Sequence, residues 1–153
     1  EHNWSQALKY LESATKISRV QPDFNLAMGE CYQHLGKLKE AIFHFTLVVQ
    51  HRPKSSSGWE ALIRCLYDAE HYAEAEIQVN IAESKTGGKP IFQFYRSAIL
   101  FAMGKSKEAL IQLDNALQRA PRLLKNFIEV NPVILQNQAV VDLVATFKRK
   151  RPI

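Results

Sequence analysis

Ala7, Ala41, Ala75 and Ala109 stand in one register, each 34 residues from the next. The position four residues on reads Leu11, Phe45, Val79 and Leu113, and three further on stand Ala14, Val48, Ala82 and Ala116. Offsets of four and seven share one face of a helix, so every copy carries the same apolar stripe. Gly36 returns as Gly104, Pro53 as Gly87 and Pro121, and Trp4, Leu38 and Tyr72 share a column that ends with Ser106. Such a period confines the chain to stacked supersecondary units, because one helix pair cannot bury its apolar faces alone.

The recurring residues resemble the tetratricopeptide repeat (TPR), a helix–turn–helix unit of about 34 residues with small, aromatic, Gly, Ala, Phe and Pro positions in order. Met28, Gly29, Tyr32, Gly36, Ala41, Phe45 and Pro53 carry the fullest copy. Trp59, Leu62, Leu66, Tyr72, Ala75, Val79 and Ala82 carry the next, and Leu100, Gly104, Ala109, Leu113, Ala116, Leu117 and Pro121 the third, with Ser97 in the small-residue column. Trp4, Ala7, Leu11 and Ala14 supply only a second helix, so the resemblance covers about residues 3–121. It implies an all-α, right-handed superhelical solenoid of antiparallel helix pairs with a helical C-terminal cap. Small side chains at Ala41, Ala75 and Ala109 suit helices packed about 8–10 Å apart, with Tyr32 and Phe45 filling the space beside them. Gly36 and Gly104 suit a turn that needs a positive φ.

This reading places helices near 3–20, 23–35, 38–52, 57–69, 72–85, 90–103 and 105–120. Ser57 and Glu60 have capping-box spacing, and Thr86–Pro90 is the clearest turn between repeats. The segments are 3–21, the second helix of a truncated leading repeat; 22–55, 56–89 and 90–121, full repeats; and 122–153, capping helices and a basic tail, all in one domain. In the tail, Asn131 and Pro132 open a short helix, and Val140, Val141, Val144 and Phe147 form an apolar face that closes the stack.

Apolar residues make up 46% and charged residues 23% of the 153, the balance of a globular chain. No apolar run approaches the ~18 residues of a membrane span. The chain opens on Glu1 rather than Met, which reads as an excised fragment, with any targeting segment removed; a cytoplasmic location is favoured. The net charge of +5 resides wholly in residues 119–153, where seven Lys/Arg face Glu129 and Asp142. A nucleic-acid binder spreads its cations over a folded face, so nucleic acid is not the expected partner. The Lys148–Arg151 run reads as a solvated tail, with a basic-tailed nucleic-acid or membrane-surface binder as the weakest reading.

In the TPR family the first helix of each repeat lines a concave groove that binds peptides or partner segments. The resemblance puts Asp23, Leu26, Ala27, Glu30, Gln33 and His34 there from the first full repeat. The second supplies Ser57, Glu60, Ala61, Arg64, Tyr67 and Asp68, and the third Ile91, Phe94, Tyr95, Ala98, Phe101 and Ala102. Phe94 and Phe101 share a helical face and, with Tyr95, would anchor an apolar side chain; the competing reading packs these rings against the closing helices. Glu60 and Arg64, at i and i+4, read first as an intrahelical pair. The carboxylate clamp of chaperone-binding members needs Lys, Asn and Arg where this chain has Leu26, Glu30, Ala61 and Tyr95, which argues against that ligand class.

Cys31 and Cys65 occupy one column and read as buried hydrophobes. Cys31 with His34, and Cys65 with Asp68, have ligand spacing, but His2, His44, His51 and His71 complete no set, so no metal or other cofactor is expected. No phosphate loop or catalytic motif appears, and no small-molecule substrate is expected. The expectation is a non-enzymatic module binding a protein or peptide partner. The alternative is a structural segment of a longer TPR array, self-associating through Trp4 and Leu8, which the missing first helix of their repeat would leave exposed.

Overall fold

The helical columns are buried as the period requires. In the computed structural model, which describes residues 3–15 and 22–150, Ala41, Ala75, Ala109, Phe45, Val79 and Leu113 have no solvent-exposed surface. The elements are α1 (Trp4–Thr15), α2 (Pro22–His34), α3 (Leu38–His51), α4 (Ser56–Asp68), α5 (Tyr72–Thr86), α6 (Ile91–Ala102) and α7 (Ser106–Arg119). A 3₁₀ turn (Pro121–Leu123), α8 (Leu124–Val130), a second 3₁₀ turn (Pro132–Gln136) and α9 (Gln138–Lys150) follow. No strand forms among the described residues, and the all-α, TPR-like architecture is what the chain adopts. Residues 16–20 of the expected leading helix, His2, Arg151 and the side chain of Ala14 lie outside the described residues.

Within each full repeat, one hydrogen-bond pattern closes the turn. Lys37 N–H donates to Tyr32 C=O (2.8 Å) and Gly36 N–H to Gln33 C=O (3.0 Å). His71 to Leu66 and Glu70 to Tyr67 repeat it, as do Lys105 to Leu100 and Gly104 to Phe101. This is a Schellman-type stop, which needs one residue in the left-handed region. Gly36 and Gly104 supply it at φ 74° and 78°, and the same column in the middle repeat is Glu70, at φ 60°.

Packing between the two helices of a repeat depends on matched volumes. A Cβ built on Gly29 would lie 2.4 Å from the Phe45 ring, so glycine there is what admits the ring. In the third repeat those two columns hold Ser97 and Leu113, and Ser97 Oγ donates to the Ala109 carbonyl at 2.8 Å.

The chain forms two compact units, divided between Gly87 and Gly88. The division falls inside the turn that the sequence places between repeats. In the first unit α1 packs on α2, α2 on α3, α3 on α4 and α4 on α5. Leu8 of α1 joins Met28 and Cys31 of α2 in a small core flanked by Trp4, Ala7, Leu11 and Tyr32. Leu8 is therefore not the exposed flank expected of it, because α2 covers it. In the second unit α6 and α7 form an antiparallel pair, α8 packs on α6, and α9 packs on α7.

The capping box at Ser57 is a further correction. Helix α4 begins one residue earlier, with Ser55 at the N-cap and no side-chain cap bond; Ser55 and Ser57 hydroxyls lie 3.1 Å apart instead. The entry to α4 is held by Trp59, whose indole N–H donates to the Pro53 carbonyl at 2.8 Å.

Candidate functional site

Helices α2 and α4 each present a face spaced for one side of a helix: Leu26, Glu30, Gln33 and His34 on the first, Ser57, Glu60, Ala61 and Arg64 on the second. These eight residues line one groove of about 530 Å³ in the first unit. All eight belong to the columns that the TPR resemblance assigns to the concave surface. Leu26 and Ala61 contribute its apolar atoms; Glu30, Glu60 and Arg64 supply charge, and Gln33, His34 and Ser57 add hydrogen-bonding groups.

Neighbouring side chains hold this surface in shape. Trp4 of α1 stacks on His34, ring centroids 4.0 Å apart and planes 7° from parallel, so the leading helix supports one lining residue of the groove. Partial burial raises the Asp68 carboxyl above its usual range, opposed by the Arg64 charge and a hydrogen bond from Gln33. Gln33 is thus engaged in part by Asp68, at the end of α4. Asp23, by contrast, is exposed outside the groove lining and pairs with Arg52, which donates to it at 2.7 Å and lowers its pKa. Tyr67 packs edge-on against Tyr72, centroids 5.5 Å apart, and is not part of the groove lining.

The third repeat's aromatic anchor is overturned in its main part. Phe94 is fully buried and lies 5.5 Å from the equally buried Phe127 of α8, centroid to centroid. Tyr95 is 4% exposed and sits beside Phe92. Only Phe101 keeps partial exposure. The closing helix occupies the place an apolar ligand side chain would have taken, because an uncovered aromatic face at the end of a stack costs hydrophobic free energy.

The cysteines are buried, free thiols. Burial pushes Cys65 up to about 11, and its Sγ lies 3.7 Å from the Leu38 carbonyl. Among the described residues no three His, Cys, Asp or Glu side chains come together as a metal site would need.

One surface feature was missed from the sequence. Phe43, Ile77 and Ile111 are 61%, 51% and 60% exposed, and they occupy a single column of the 34-residue period. Applying the period to that column would have found three large apolar residues with no buried partner column of their own.

Comparison with protein-family models gives no match, and comparison with curated proteins gives none either. Solved structures do match. A structure described as "Crystal structure of MamA" superposes with a TM-score of 0.73 at 13% identity, covering 97% of this chain and 86% of that one. "MamA MSR-1 C2" matches with a TM-score of 0.68 at 17% identity, over 79% of this chain and 70% of that one. "Crystal structure of MamA protein" gives 0.69 at 12%, over 80% and 67%. At these identities the likeness establishes the fold: this chain is built as a TPR-like helical repeat protein, as MamA is.

Proposed function

We propose that this chain is a non-enzymatic interaction module that holds a peptide or an extended segment of a partner protein in the α2–α4 groove. The observation that carries the reading is the convergence of Leu26, Glu30, Gln33 and His34 with Ser57, Glu60, Ala61 and Arg64 on one groove. The groove is open and mixes apolar floor with charge. That suits backbone and side-chain contacts along a segment better than enclosure of a small molecule, which favours a deep, mostly apolar pocket. The TPR-like fold supports the reading, since such repeats present an extended surface for partners.

The test is selection of a displayed random-peptide pool on the whole chain, with binders re-measured on Leu26→Asp and Arg64→Glu variants. Binders that weaken about tenfold or more on both support the groove. Failure to select any binder, or binders indifferent to both substitutions, refutes it.

A second reading, assembly with copies of itself, is favoured by Phe43 and Ile77, exposed at one repeat column of α3 and α5. With Leu8 buried and Trp4 stacked on His34, Phe43 and Ile77 replace the leading helix as the surface to test. Light scattering on wild type and a Phe43→Ser, Ile77→Ser variant decides it: a larger species that dissociates in the variant supports assembly, and a monomer in both removes it.

A further inference from the structure

We infer that the C-terminal closing segment carries a second docking site, for an acidic peptide segment with an apolar anchor. Pro121, Arg122, Leu124, Lys125, Ile128, Glu129 and Lys148 surround a groove of about 490 Å³ that lies wholly in the second unit. Leu124 and Ile128, one helical turn apart on α8, are left half-buried when Phe127 turns into the core, and they floor the groove. Its rim holds three exposed cations, Arg122, Lys125 and Lys148, brought from two separate segments, against one carboxylate, Glu129.

The fold does not account for these cations. Arg122 and Lys125 sit just before and within the first turn of α8, which has no acidic residue there. The helix dipole disfavours positive charge at that end. Arg119 shows what a structural cation in this region does: it donates to Gln93 Oε1 and to the Gly88 carbonyl, both at 2.9 Å, tying the end of α7 to the start of α6. Arg122, Lys125 and Lys148 line the groove instead. The charge excess of residues 119–153 therefore faces, in part, an apolar floor. That combination is complementary to carboxylates flanking a Leu- or Phe-sized side chain. No aromatic ring lines the groove, so the stacking platform of a single-strand nucleic-acid site is missing. Glu129 interrupts the rim, so this is not the uniformly basic cluster that an anionic bilayer surface attracts.

The experiment measures binding of two fluorescent acidic peptides to the whole chain. One carries Leu and Phe anchors among Asp and Glu, and the other has the anchors replaced by Ser at the same charge. Vesicles of phosphatidylserine and of phosphatidylcholine form the third arm. The anchored peptide is expected to bind roughly tenfold tighter than its Ser counterpart, and to weaken as salt rises. An Arg122→Glu, Lys125→Glu, Lys148→Glu variant should lose roughly tenfold or more. These side chains are exposed, so the variant keeps its fold, which circular dichroism verifies. Lys85→Glu, an exposed cation of the other unit that lines neither groove, should bind the peptide like wild type. Equal binding of both peptides, indifference to the triple substitution, or no binding overturns the site; binding of phosphatidylserine vesicles but not of the anchored peptide reassigns the surface to membranes.

Discussion

Replacing Glu70 by glycine should stabilise this protein, although it removes a charged side chain from an exposed turn. Glu70 has φ 60°, in the column where Gly36 and Gly104 have φ 74° and 78°. A side chain in the left-handed region costs about 1–2 kcal/mol. Glycine's freer unfolded chain offsets about 0.4–1 kcal/mol of that. The net gain for Glu70→Gly is then about 0.5–1 kcal/mol, and the turn bond from its N–H to the Tyr67 carbonyl is kept. The same arithmetic with the opposite sign applies to Gly36→Ala and Gly104→Ala, where an added Cβ would meet nothing within 4 Å and the effect is purely one of backbone conformation. Urea unfolding followed by circular dichroism tests all three. With a slope of about 2 kcal/mol/M, the midpoint should rise about 0.3–0.5 M for Glu70→Gly and fall similarly for the two alanine variants, at unchanged slope. A fall for Glu70→Gly, or no change for the alanine variants, would refute the claim that turn conformation sets these energies.

Two further outcomes are expected. Gly29→Ala should cost about 1–3 kcal/mol by overpacking against the buried Phe45 ring. Phe45→Leu in the same chain should recover part of it, and denaturant titration of the double variant checks this; no recovery would break the volume argument. The second concerns pH. Burial of the His44 ring, opposed by Glu12, holds its pKa below the ordinary 6.5, and its Nδ1 lies 2.9 Å from Asn25 Oδ1. The unfolded chain therefore takes up a proton first. The stability His44 contributes is complete above about pH 6.5 and is lost as pH falls from there through the lower folded value. His44→Gln should flatten that limb of a stability–pH profile, and an unchanged limb would assign it elsewhere.

Fold class and the limits of the repeat helices were readable because they follow from local rules applied many times over. A period of 34 that returns Ala, a large apolar residue and a turn residue leaves few alternatives, and the predicted α3 limits, 38–52, differ from Leu38–His51 by one residue. The eight residues that line the groove of the first unit fall in columns that the TPR resemblance, rather than the period itself, implied. Where position in the period was not the deciding factor, the reading failed. Ser57 had capping-box spacing, but the turn before α4 begins the helix one residue earlier. Leu8 was expected at the surface because its repeat lacks a first helix, and Phe94 because of its column, yet α2 covers the first and Phe127 of α8 fills the space beside the second.

The sequence by itself determined the repeating helix pairs, their turns and the face each column presents, because helical periodicity and the volume of each side chain are properties of adjacent residues. Only the tertiary structure decided which presented faces stay open. Closing residues outside the period compete with any ligand for the same apolar surface, and in the second unit they occupy the third repeat's aromatic end. It also decided that Glu70 takes a glycine's conformation, because the packing of α4 against α5 dictates the turn and the residue in that column must follow.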